Sequence, residues 1–97
     1  MFFSRKKPKT VAYHGHVSGR VQSVAFRFYT RQEATQLRLT GWVQNLADGR
    51  VEFHVQGPSD DVDEFLQWLK EGSPLAIVRG VDYEPAEPES LDEFEIR

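Results

Sequence analysis

Asp48-Gly49 sits midway along the chain, between two runs in which apolar and polar residues alternate. In the first run Val43 and Asn45 point one way and Trp42, Gln44 and Leu46 the other. In the return run Val51, Phe53 and Val55 face inward and Glu52, His54 and Gln56 outward. A side-chain period of two is that of a strand, and Asp-Gly readily takes the positive φ that a tight hairpin turn needs. The centre of the chain is therefore expected to form an antiparallel hairpin over 42–46 and 50–56. A hairpin with one apolar face is marginal in water, so other elements must cover that face.

The flanking sequence supplies the cover. From about Val24 the pattern turns helical, with Phe26, Tyr29, Ala34 and Leu37 in one arc and Arg27, Arg31 and Arg38 on an adjoining one. Beyond the hairpin, Val62, Phe65, Leu66 and Leu69 recur at i, i+3, i+4 and i+7. Ser59 or Asp60 can cap the start of that helix, and Gly72 followed by Pro74 stops it. Thr10 to Val17 fits a strand with Val11, Tyr13, Gly15 and Val17 on one face and Ala12, His14 and His16 on the other, interrupted by Ser18-Gly19. Leu75 to Val81 and Phe94 to Arg97 read as two further strands, separated by the acidic, proline-bearing stretch Glu84 to Glu89. The expected class is α+β: a ferredoxin-like split βαββαβ sandwich, an antiparallel sheet with two helices on one face and a short C-terminal strand.

At 97 residues with 39% hydrophobic side chains, the chain supports one modest core. Zero cysteines exclude disulfides, thiolate metal sites and thiol chemistry, and no apolar run reaches bilayer length, so a cytoplasmic protein that does not enter membranes is expected. Residues 1–10 carry Arg5, Lys6, Lys7 and Lys9 without an acid, which leaves 8 basic against 15 acidic side chains in the rest. The reading is a basic tail over 1–9 and a folded domain over 10–97. An acidic body argues against nucleic-acid binding, because phosphate-backbone affinity comes from clustered Lys and Arg.

Any anion site must then be local. Ser18 to Arg27 lead from the first strand into the first helix, where backbone N–H groups lack intrahelical partners and their dipoles favour an anion. Arg27, one turn in, adds a planar fork of donors matched to phosphate or carboxylate oxygens. The residues alone leave two readings open, an anion site or an ordinary strand-loop-helix junction beside a solvated arginine face. Asn45, at a strand end, reads by itself as a residue satisfying turn amides.

Gly19-Arg20-Val21-Gln22-Ser23-Val24-Ala25-Phe26-Arg27, then Gly41-Trp42-Val43-Gln44-Asn45-Leu46 with Asp48-Gly49, Gln56-Gly57, Trp68-Leu69 and Gly72-Ser73-Pro74, occur in an order and separation that resemble the acylphosphatase family over about 10–97. The resemblance implies the same fold and hydrolysis of the carboxyl-phosphate bond of a small-molecule acyl phosphate, with no cofactor and no metal, by a chain expected to act as a monomer. It implies that Arg27 binds phosphoryl oxygens, that Asn45 orients the attacking water, and that the loop of Gly19, Arg20, Val21, Gln22, Ser23 and Val24 cradles the phosphate. The family usually has glycine where this chain has Ser23. A non-catalytic anion-binding module on the same fold is the alternative. His14, His16 and His54 alternate along strands but have no acidic or thiol partner at a diagnostic spacing, so they are expected to be solvated or packed rather than metal-bound.

Overall fold

A computed structural model describes residues 9–97, so the expected basic tail lies almost wholly outside the described residues. The elements are β1 (Thr10–Arg20), α1 (Phe26–Gln36), β2 (Thr40–Asn45), β3 (Val51–Pro58), α2 (Ser59–Glu71), β4 (Ile77–Pro85) and β5 (Phe94–Ile96). They form one five-stranded sheet in the order β4-β1-β3-β2-β5. The first four strands pair antiparallel, as the sequence suggests, whereas β5 runs parallel to β2 from Gly41↔Phe94 to Val43↔Ile96, so the sheet is mixed.

The hairpin forms at Asp48-Gly49, with Gly49 at φ 96° and the Asp48 carboxylate accepting from the Arg50 amide at 3.0 Å. Its inward residues Val43, Val51, Phe53 and Val55 are fully buried, and α2 lays Val62, Phe65, Leu66 and Leu69 on them. Phe65 meets Phe53 edge-on and Phe94 at a tilt, which ties the last strand to the centre of the core.

Three elements differ from expectation at their ends, the first being β4, which starts at Ile77 rather than Leu75 and runs past Val81 through Pro85 into the stretch expected to be a loop. The helix α1 starts at Phe26 rather than near Val24, because Ala25 ahead of it is left-handed at φ 57°. Its buried stripe is Phe26, Thr30 and Ala34, while Tyr29 is only half-buried; the side of the helix between i and i+4 faces the sheet, and Tyr29 lies a quarter turn away. The strand β1 also runs past Ser18-Gly19, where the break survives as a register shift against β4. Gly19 is at φ 122°, and a Cβ there would lie 2.1 Å from the Ile77 carbonyl oxygen, so glycine at this position serves the close approach of β4.

Candidate active site

The segment between β1 and α1 alternates inward and outward. Val21 and Val24 are buried and anchor the loop in the core, while Ser23 and Ala25 are exposed. Ser23 at φ 62° and Ala25 at φ 57° both occupy the left-handed region, which L-residues enter at a cost of about 1–2 kcal/mol each. No side chain caps the start of α1, so its first-turn amides have no side-chain acceptor. Two left-handed residues on either side of Val24, directly before an uncapped helix, bend the backbone into a concave turn of the kind that receives an anion.

Neighbouring elements hold this turn in place. The Gln22 side-chain amide donates to the Leu46 carbonyl at 2.8 Å and to the Arg50 carbonyl at 3.0 Å, joining the loop to both stems of the β2–β3 hairpin. From below, the buried Ser73 hydroxyl donates to the Val24 carbonyl at 2.9 Å. Ser73 follows the residue that ends α2, so the stop of one helix supports the entrance of the other.

A small cleft of about 210 Å³ opens above the turn, lined by Val21, Ser23, Ala25, Phe26, Arg27, Phe28, Asn45 and Ile96. Arg27 and Asn45 thus meet at one cavity although 18 residues separate them in the chain. Asn45 ends β2 on the face that Val43 turns toward the helices. The hairpin turn takes its side-chain cap from Asp48 instead, whose carboxyl is held below the usual range by the Arg50 amide and guanidinium. The Arg27 guanidinium donates to the Arg97 main-chain oxygen at 2.8 Å, and the Arg97 amide donates in turn to the Val43 carbonyl at 2.8 Å. The end of β5 therefore aims Arg27.

Of the residues singled out in the sequence, Arg27, Asn45, Val21 and Ser23 border the cleft. Gly19 and Arg20 are the last two residues of β1, paired with Val78 and Ile77. The Gln22 side chain faces the hairpin, and Val24 faces the core. Sequence reasoning missed Ala25, Phe26, Phe28 and Ile96 in the lining and Ser73 beneath it. Only the Ser73-Pro74 pair after a helix stop hinted at any of them.

The acylphosphatase family profile matches residues 13–96. An acylphosphatase of Trichormus variabilis is 46% identical over 94 residues, which cover 97% of this chain and 93% of that one. The solved acylphosphatase of Coxiella burnetii superposes with a TM-score of 0.88 at 41% identity, covering 91% of this chain and 93% of that one. That of Bacillus subtilis gives 0.87 at 36% identity, covering 90% and 98%. With the family profile matching most of the chain, and with curated and solved acylphosphatases alike over nearly its whole length, this chain belongs to the acylphosphatase family.

Proposed function

We propose that the cleft between the β1–α1 turn, α1 and the end of β2 hydrolyses small acyl phosphates to a carboxylate and inorganic phosphate. The turn amides and the Arg27 fork meet the phosphoryl oxygens, and the Asn45 amide orients the water that attacks phosphorus. Phosphoryl transfer requires mainly positioning and stabilisation of charge on the equatorial oxygens, and the carboxylate is a good leaving group, so no strong base is needed in the cleft. The observation that carries this reading is that Arg27 and Asn45 line one cleft over a turn with two left-handed residues. No helix among the described residues is long and apolar enough to cross a membrane, and with no cysteine in the chain we read the protein as cytosolic.

Two substitutions separate binding from chemistry. Arg27→Ala is expected to abolish both phosphate binding and release of phosphate from a model acyl phosphate, and Arg27→Lys to restore little, because a point charge does not reproduce the fork. Asn45→Ala is expected to keep phosphate affinity within a few fold while kcat falls by about 10² or more. Titration calorimetry with phosphate and a phosphate-release assay measure the two. Wild-type phosphate affinity in folded Arg27→Ala removes Arg27 from its role, and a parallel loss of affinity and rate in Asn45→Ala makes Asn45 a ligand contact instead.

A further inference from the structure

The sheet face turned away from the helices carries a second cluster. His14 and His16 stand two apart on β1 and so project from the same face. In the register of the sheet His16 lies between Glu52 of β3 and Asp82 of β4. His14 Nε2 and Glu52 Oε2 are 2.6 Å apart, and His16 Nδ1 is 3.3 Å from Asp82 Oδ1. His14, His16 and Glu52 each offer one ligand atom within 4.8 Å of the others. The third histidine is not part of this group: His54 is buried to 1% exposure beneath Trp42, bonded through Nε2 to Gln56 and close to Glu89 through Nδ1.

We infer that His14, His16 and Glu52 form a binding site for one divalent transition-metal ion of the zinc class, separate from the catalytic cleft. Two imidazoles and a carboxylate suit zinc, cobalt or nickel, whereas magnesium and calcium take oxygen ligands. The supports such a site needs are present. The Gln44 side-chain amide donates to Glu52 Oε1 at 2.5 Å, which leaves Oε2 turned to the histidines, and Asp82 holds the His16 ring from the β4 side. Ligands on a tetrahedral zinc lie about 3.3 Å apart, so the ion enters by opening the His14–Glu52 contact slightly and drawing in the widest separation, movements within the reach of side chains. Side-chain exposures of 32% for His14 and 18% for Glu52 leave an approach from solvent. Three protein ligands leave one position for water.

The test is a titration of the full chain with Co²⁺, followed by visible absorption, and then displacement by Zn²⁺. One equivalent of Co²⁺ is expected to bind in the micromolar range with the strong bands of a four-coordinate ion, and Mg²⁺ in excess is expected not to compete. His14→Ala and His16→Ala are each expected to weaken binding at least about tenfold, and Asp82→Asn to weaken it less. Hydrolysis of a model acyl phosphate within twofold of wild type confirms that each variant is folded. Glu52→Gln, which keeps the shape and the Gln44 contact, tests the site should a histidine variant fail to fold. No Co²⁺ binding below millimolar concentration overturns the proposal, as does binding that His16→Ala and Glu52→Gln leave unchanged.

Discussion

Ser23 is the residue where local strain and chemistry meet. Its φ of 62° shows that the position calls for a left-handed backbone, not merely for a small side chain. Glycine there relieves about 1–2 kcal/mol of strain and gives back only about 0.4–1 kcal/mol through the entropy of the unfolded chain. Ser23→Gly is therefore expected to hold or raise stability in urea titrations and to hold or raise kcat/KM. Ser23→Val, stiff at χ1 and strained at this φ, is expected to suppress phosphate binding. A large fall in kcat/KM for folded Ser23→Gly would identify the hydroxyl as a phosphate donor. That the departure mattered was legible from sequence; its sign required the dihedral angle.

At the scale of elements, the cleft depends on how the loop, hairpin and helices are joined. Gln22 bonds to both hairpin stems. Gln22→Ala removes two hydrogen bonds and is expected to cost about 1–2 kcal/mol in urea denaturation. It also frees Asn45 to drift from the turn, so kcat/KM is expected to fall about tenfold or more; unchanged kinetics would show that the hairpin is held by other contacts. The two helices meet less favourably. Burial first, and the nearby Glu64 carboxylate second, raise the Glu33 carboxyl above the usual range. A raised native value means that the folded chain holds this proton more tightly than the unfolded one. The resulting penalty is absent at low pH, appears as pH rises through the native value and is complete at neutrality. Glu33→Gln is accordingly expected to raise Tm by about 1–3 °C at pH 7 and not at pH 3. Calorimetry at both pH values checks this, and an equal gain at each would show that charge is not the cause.

For the molecule as a whole, the sheet separates two chemistries. The Asn45 face carries the cleft, and the opposite face carries His14, His16 and Glu52. EDTA is expected to strip any ion from the histidine face while leaving acyl-phosphate turnover unchanged; lost turnover, restored by Mg²⁺, would overturn the metal-free reading of the cleft. The sequence by itself determined what depends on neighbours a few residues apart. The Asp48-Gly49 turn, the alternation of Val51, Phe53 and Val55, and the stripe of Val62, Phe65, Leu66 and Leu69 are local periodicities, and all reappear as elements with the inward faces expected. The ordered blocks around Gly19–Arg27 and Gly41–Leu46 likewise pointed to the family and to Arg27 and Asn45. Tertiary structure decided whatever rests on which strand lies beside which. No linear pattern states that β5 joins β2 in parallel, that Ser73 props up Val24, or that Arg97 aims Arg27. Spacing along the chain gives the histidines no acidic partner. Glu52 lies 36 residues after His16, yet the register of β1 against β3 sets the two directly opposite, since strand pairing brings side chains together by position across the sheet rather than by distance in sequence.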